Sequence, residues 1–136
     1  MKTITSALLL IGAVLAFSGC STHSWWLVAD SVTTQPVPGR FPAHTNKVFL
    51  TEEALPASVK YESIGQVDAG KVTTCNTEEL LILIADGSRK SGADAVISLK
   101  TWRQPCGWSW SAPHGSGEMI KITDTNSLTG LTGYWY

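Results

Sequence analysis

Histidine and serine side chains are the first candidates for catalytic chemistry in this chain of 136 residues. Of the three histidines, His23 and His44 lie in an irregular N-terminal stretch, where nothing fixes their geometry, and His114 has serines nearby. A serine hydrolase of one common type presents its nucleophile on a sharp G-x-S-x-G turn, and the chain has no such motif. We therefore predict no catalytic residue and no enzymatic activity.

Cysteine and histidine side chains are also zinc ligands, and zinc favours closely spaced pairs such as C-x-x-C. His114 follows Cys106 by eight positions, and Cys75 lies far from both in the sequence. This spacing does not match a zinc site, so neither a metal nor another cofactor is predicted.

Three of the six tryptophans, Trp102, Trp108 and Trp110, lie close to Cys106 in the sequence. Exposed indole rings stack on sugar faces or anchor a protein partner. Two binding hypotheses follow, one for a glycan and one for a protein. The alternative is structural, with Trp102 and one of the other two rings covering Cys106 and an open sheet edge.

Cys20 stands directly after a secretory signal pattern. Lys2 supplies a positive start, residues 8–16 form an apolar run, and the small residues Ser18 and Gly19 precede the cysteine. The run is too short to cross a bilayer, which takes about 20 apolar residues. The arrangement resembles the lipobox of bacterial lipoproteins, and the resemblance implies cleavage before Cys20 and a lipid on that residue. An ordinary cleaved signal and an uncleaved anchor are the alternatives.

The lipid implied for Cys20 determines where the protein works. One acyl chain holds a protein on a membrane only marginally, whereas several anchor it stably, and lipoproteins of this kind carry three. In such families an Asp after the cysteine retains the protein in the inner membrane, and Ser21 takes that place here. The resemblance thus implies an outer-membrane lipoprotein, with its domain in the periplasm or at the cell surface.

The charge of the chain excludes one class of partner. The chain has 10 Lys and Arg residues against 11 Asp and Glu residues, which gives a net charge of −1, and its basic residues are scattered. A protein that binds nucleic acid concentrates positive charge on one face. We therefore predict no nucleic-acid partner, and membrane attachment depends on the lipid at Cys20.

The chain divides into a signal peptide, a lipidated N-terminus with a proline-rich tether, and one folded domain, at 1–19, 20–46 and 47–136. Residues 31–42 contain three prolines, little charge and no apolar period, so they are predicted to belong to the tether. Trp25 and Trp26 interrupt the tether, and they either lie at the membrane interface or fold back on the domain.

The domain is expected to contain one helix, with strands at 48–50, 61–69, 95–102 and 119–123. This order predicts an α+β fold in which one helix packs on a small mixed sheet. It also predicts a right-handed parallel crossover between the strands on either side of the helix. Residues 103–117 contain two prolines and three glycines and are predicted to form a long loop.

The helix has clear start and stop signals. Asn76 is a good N-cap with Glu79 at the capping-box position, and Gly92 is a ready C-terminal stop. A small residue at Gly87 would let the buried face approach the sheet closely. Ile82 falls on the polar face, so it is either covered by another segment or exposed for a partner.

Two short segments carry a family resemblance. Residues 61–65 read Tyr-Glu-Ser-Ile-Gly, and after the capped helix residues 92–97 read Gly-Ala-Asp-Ala-Val-Ile. The pattern resembles YbjQ-like domains and the related RcsF-like outer-membrane lipoproteins, over roughly residues 48–123. The resemblance implies a lipoprotein with an envelope interaction or stress-sensing role. The chain departs from the RcsF-like sensor in lacking a second cysteine pair and in having a short tether with few basic residues.

Cys75 and Cys106 remain once Cys20 is assigned to lipid. Two cysteines in an oxidising compartment usually pair, and two free thiols are the alternative. In the RcsF-like group a cysteine just before the helix bridges to one after the following strand, and Cys75 and Cys106 match those positions. The chain-entropy model gives such a bridge about 3.5–4 kcal/mol of stabilisation.

These patterns predict a non-enzymatic outer-membrane lipoprotein that interacts with an envelope protein partner or senses envelope stress. The alternative is a periplasmic module that binds glycan or peptidoglycan through its loop tryptophans. The residues proposed for binding are Ile82, Trp102, Trp108 and Trp110, and those proposed for lipidation and the disulfide are Cys20, Cys75 and Cys106.

We expect thiol labelling of the denatured mature protein to find no free cysteine, because the lipid and the predicted bridge occupy all three sulfur atoms. Mass spectrometry of the labelled protein measures this, and labelling after reduction is the control. Two labelled thiols before reduction would remove the bridge.

Overall fold

A computed structural model describes residues 22–27, 29–36, 41–73 and 76–136. Within these residues one α-helix packs against a six-stranded mixed sheet, which confirms the predicted α+β class. The strands are β1 (Ser31–Pro36), β2 (Phe49–Leu50), β3 (Tyr61–Gly70), β4 (Ala95–Cys106), β5 (Ser109–Ile122) and β6 (Tyr134–Trp135). The helix α1 spans Thr77–Lys90, and a 3-10 helix spans Thr125–Leu128. The predicted signal peptide and Cys20 lie outside the described residues.

The strands of the sheet are arranged in the order β1-β3-β5-β4-β2-β6. Neighbouring strands are antiparallel except β2 and β4, which are parallel. Because β5 is antiparallel to both β3 and β4, those two strands run parallel to each other on either side of α1. They are not neighbours, since the short turn after β4 brings β5 back alongside it and into the place next to β3.

Alternate residues of the central strands enter two apolar clusters on opposite faces of the sheet. The helix α1 covers one face, where Leu80 and Ile84 join a cluster that includes Ile64, Val67, Val96 and Met119. The other face is covered by the chain near the C-terminus, where Leu128 joins a cluster that includes Phe49, Ile97, Ile120 and Ile122.

The helix α1 begins and ends where the sequence indicates. The Glu79 N–H donates to Asn76 Oδ1 over 3.0 Å, and Gly92 just beyond the helix has a φ of +82°. The small residue Gly87 brings the helix close to β1, because a Cβ there would lie 2.7 Å from the Val32 side chain. In the described part of the chain no helix has the length and apolar character that crossing a bilayer requires.

The loop predicted at 103–117 is wrong, because these residues form most of a long β-hairpin. Strand β4 continues to Cys106, and β5 starts at Ser109. The glycines that favour a loop serve close packing instead: a Cβ at Gly115 would lie 3.1 Å from Ile84, and one at Gly117 would lie 2.5 Å from Val96.

Pro113 is tolerated in β5 because of where the neighbouring strand ends. Its pairing partner is Arg103 of β4, and the pairing of β5 with β3 ends one residue on, at His114. The Pro113 carbonyl accepts from the Lys71 N–H just past the end of β3 (3.0 Å). A strand residue points its N–H and C=O to the same side, so the missing donor faces the end of β3.

The tether predicted at 20–46 is wrong for residues 31–36, which form the edge strand β1. All six residues pair with β3, from Ser31 opposite Gly70 to Pro36 opposite Gly65. The proline is at the end of an edge strand, which is a position that sheets tolerate. Residues 31–36 are therefore part of the folded domain.

Gly92→Ala should destabilise the domain by about 1–3 kcal/mol, since a positive φ strains any L side chain. In addition, the new Cβ would lie 2.7 Å from the Phe41 Cβ. Gly130→Ala is a matched control, because Gly130 has a φ of +97° but nothing within 4 Å of an added Cβ. Urea unfolding of both variants measures the difference, and equal losses would mean that the contact with Phe41 contributes nothing.

Candidate functional site

Residues 22–27, here called the N-terminal segment, lie against the far end of the β4–β5 hairpin. The Gly107 N–H donates to the Trp25 carbonyl over 2.9 Å. The Gln104 side-chain amide donates to the His23 carbonyl over 2.6 Å. The segment is thus fixed to the hairpin through its backbone.

Gly107 makes this close approach possible. It occupies the first central position of the two-residue hairpin turn with a φ of +53°, as type II′ turns require of glycine. A Cβ on Gly107 would lie 2.5 Å from the Leu27 carbonyl oxygen. The Leu27 side chain packs against a small apolar cluster formed by Val72, Cys106 and Ala112.

Four tryptophans meet at this end of the molecule. The exposed fractions are 64% for Trp25, 73% for Trp26, 87% for Trp108 and 89% for Trp110. Together with Pro105, Cys106, Gly107 and Ser109 they line a cavity of about 370 Å³. We call this surface the tryptophan end, and none of its eight lining residues carries a charge.

Trp102 does not join the tryptophan end, although the sequence grouped it with Trp108 and Trp110. It is half-buried, its ring centroid lies 4.7 Å from that of His23, and it stacks on His114 at 6.1 Å. Its indole N–H donates to Gln104 Oε1 over 2.8 Å. Trp102 therefore packs against His23 of the N-terminal segment, and its ring is not free to bind a partner.

A histidine pair joins the N-terminal segment to the sheet. The Nδ1 atoms of His23 and the fully buried His114 are 3.1 Å apart, and His23 Nε2 lies 3.1 Å from Asp68 Oδ1. Gly70 beside them leaves the necessary room, because a Cβ there would lie 2.7 Å from the His114 ring and 2.4 Å from the Thr22 carbonyl oxygen.

The hydrogen bonds assign the tautomers when both rings are neutral. His23 donates from Nε2 to Asp68, so its Nδ1 accepts from His114 Nδ1–H. His114 Nε2 is then an unprotonated lone pair, buried and without a hydrogen-bond partner among the described residues. Burial, and after it the proximity of His23, lowers the pKa of His114, so this ring stays neutral near pH 7.

The hydrogen-bonded series of Asp68, His23 and His114 has the components of a proton relay, but its inner end faces no described group with which it could exchange a proton. No nucleophile among the described residues lies within hydrogen-bond reach of His114 Nε2. Nor do the described His, Cys, Asp and Glu residues form a group of three or more that could hold a metal ion. The geometry instead suits a polar clamp that holds the N-terminal segment on the sheet.

Cys106 is buried and forms no disulfide with any of the described residues. Its Sγ lies 3.3 Å from the Ser24 carbonyl, and burial raises the pKa of the thiol, which keeps it protonated and able to donate. Val72, three residues before Cys75 in the chain, packs against Cys106. Cys75 lies outside the described residues, so the bridge between the two cysteines stays a prediction.

Ile82 lies apart from the tryptophan end, on the outer face of α1, and 44% of it is exposed. Ile82 is therefore exposed rather than covered by another segment, and its role in binding a partner stays a prediction. The tryptophan end does not include this residue.

Sequence reasoning considers His23 and His114 only as catalytic candidates, and it misses both their contact with each other and the role of Asp68. His23 and His114 are 91 positions apart, and no local pattern indicates that they touch. The nearest signal is the β3–β5 register, which pairs Gly70 with His114 and Asp68 with Ser116. The sequence does not indicate that register, because it predicts a loop over most of β5.

Comparison of the chain with protein-family models, with curated proteins and with solved structures finds no match to any of them.

Lowering the pH below about 6.5 should destabilise the fold, because His114 binds a proton more readily in the unfolded chain than in its buried native site. The loss has an upper limit of about 1.4 kcal/mol per pH unit for one group, and stability is fully present above the unfolded pKa. Chemical denaturation across this pH range measures it.

The variant His114→Asn keeps an N–H donor toward His23 and should flatten the dependence of stability on pH. His44→Asn is the matched control, since His44 bonds the Ala93 carbonyl and not the clamp. If the stability of His114→Asn depends on pH as that of the parent protein does, His114 is not the group responsible for the loss at low pH.

Proposed function

We propose that this protein is an outer-membrane lipoprotein, anchored by lipid on Cys20, that acts as a non-enzymatic envelope interaction or stress-sensing module. Its recognition surface is the tryptophan end. The observation that carries the proposal is that four exposed indole rings from two distant parts of the chain converge on one uncharged surface. Large apolar patches on a folded domain are typical of interaction sites.

The composition of this surface supports binding rather than packing. Trp is enriched among the residues that dominate the energy of protein interfaces, and such rings gain most when a partner removes them from water. Trp108 and Trp110 are the most exposed large apolar residues described here, although each belongs to a well-formed hairpin. A domain that needed these rings for its own stability would bury them.

The polar groups of the domain support a non-enzymatic role. In the clamp, Asp68, His23 and His114 hydrogen-bond one another, and the inner end at His114 faces no nucleophile among the described residues. His23 belongs to the N-terminal segment, whereas Asp68 belongs to β3 and His114 to β5. The clamp therefore holds that segment on the sheet.

The family resemblance adds to the proposal through structural positions. Gly92 ends α1, and Asp94 ties the start of β4 to the end of β5 by accepting from Lys121 Nζ (2.8 Å) and the Ile122 N–H (3.1 Å). These roles account for the Gly-Ala-Asp motif by packing. The proposed kinship with RcsF-like lipoproteins therefore rests on fold-level positions and on Cys20.

Glycan binding is the second candidate function, favoured by the exposure of Trp108 and Trp110 on either side of Ser109. Flat indole faces of this kind stack on sugar rings. Trp102 no longer belongs to this hypothesis, because it is half-buried against the two histidines.

Cys20→Ala should release the protein from the outer-membrane fraction, because the acyl chains that hold it there have no attachment point. Fractionation of cells followed by immunoblotting measures this, and Cys106→Ala is the matched control that removes a cysteine but not the anchor. Continued recovery of Cys20→Ala with the outer membrane would contradict the anchor.

The glycan alternative is tested by sedimentation with purified peptidoglycan sacculi. If it holds, Trp108→Ala/Trp110→Ala loses binding that Trp135→Ala retains, since Trp135 is an exposed ring on β6 outside the tryptophan end. If neither the parent protein nor the variants bind the sacculi, the glycan hypothesis is wrong.

A further inference from the structure

We infer that the partner of the tryptophan end is the lipid surface itself, the headgroup region of the bilayer that carries the anchor. This inference rests on the proposed lipidation of Cys20. It goes beyond that proposal in assigning the four rings to the membrane interface and in fixing which end of the domain faces the bilayer.

The first argument is the length of chain between anchor and domain. Thr22 is buried, its hydroxyl bonds the Thr33 hydroxyl of β1, and its carbonyl lies close to Gly70. Thr22 is only two positions after Cys20, so the two Cα atoms lie at most about 7 Å apart. A tether free over 20–46 would let the domain turn away, whereas this short link holds one end of it at the bilayer surface.

The second argument is that the tryptophan end belongs to the same part of the molecule. Trp25 and Trp26 follow Thr22 within four positions, and the Gly107 N–H holds the Trp25 carbonyl. The hairpin turn therefore sits beside the anchored segment, and Trp108 and Trp110 lie at the same end. Lipid at Cys20 would bring all four rings to the interface together.

The third argument is chemical. Trp is enriched at membrane interfaces, where its ring enters the apolar boundary while its N–H stays among polar headgroups. The lining of the cavity has no charged residue, so no fixed charge must be stripped of water there.

A sugar or a polar peptide fits the tryptophan end less well than lipid does. Ligand sites for such molecules combine apolar walls with a few converging polar groups. The polar side chains of this lining are few: Ser109 already accepts from the Ser111 N–H (3.1 Å), and the Cys106 thiol points to the Ser24 carbonyl. The surface offers rings without the polar groups that select an orientation.

The test is tryptophan quenching in the full mature lipoprotein, reconstituted into phosphatidylethanolamine and phosphatidylglycerol vesicles with or without brominated acyl chains. Two complementary variants divide the six tryptophans. Trp102→Phe/Trp135→Phe retains only the tryptophan end and should be quenched by the brominated lipid. Replacing Trp25, Trp26, Trp108 and Trp110 by Phe should abolish the quenching. Circular dichroism of both variants checks that the fold is retained.

Quenching that is absent from the first variant, or equal in the two, would overturn the lipid assignment. Intact mass of the same preparation separates this failure from failure of the anchor. If the mass shows acyl chains on Cys20 but quenching is absent, the protein is a lipoprotein as proposed, and only the contact between the tryptophan end and lipid is rejected. An unmodified Cys20 on a protein that does not stay with the vesicles rejects both. If quenching is absent and the protein sediments with sacculi, the surface is assigned to glycan. If quenching is absent and crosslinking from position 108 yields a protein adduct, it is assigned to a protein partner.

Discussion

The hydrogen bond from the Gly107 N–H to the Trp25 carbonyl is the contact on which the functional end of this protein depends. It joins the first described residues to a turn more than 80 positions away, and it requires glycine at that turn because a Cβ would meet the Leu27 carbonyl. Together with the bond from Gln104 to the His23 carbonyl and the bond between His23 and His114, it brings two pairs of tryptophans from distant parts of the chain onto one surface next to the proposed anchor.

The hairpin that presents this surface reaches beyond the main core. Near its base β4 and β5 are covered by α1 and by the C-terminal turns, whereas near its tip the N-terminal segment and the small Val72–Cys106–Ala112 cluster replace them. The clamp, in which His114 is buried and His23 is half-buried, lies between these two regions. A tip with fewer apolar contacts opens at lower free energy than the core, as binding surfaces commonly do.

The sequence predicted what depends on local signals and missed what depends on distant pairing. Asn76 and Gly92 delimit α1 through contacts within a few residues, and both were found. Gly115 and Gly117 look like loop residues in isolation, but they are small because Ile84 and Val96 pack against β5. Strand β1 has no apolar period that would predict it, and it forms because all six of its residues pair with β3. For the site, Trp108 and Trp110 were found by composition, whereas their meeting with Trp25 and the His23–His114 clamp required the tertiary fold.

The most direct test of the central claim is amide hydrogen exchange at Gly107, followed by NMR on the mature chain carrying Cys20→Ala in lipid-free solution. Gly107 is an exposed turn residue, so in the absence of lipid its N–H can be protected only if the N-terminal segment lies on it. The account predicts exchange slowed well below that of an unstructured amide. Exchange of Gly107 at the rate of a free turn, while the core amides of β5 stay protected, would show that the segment is not held there and would contradict it.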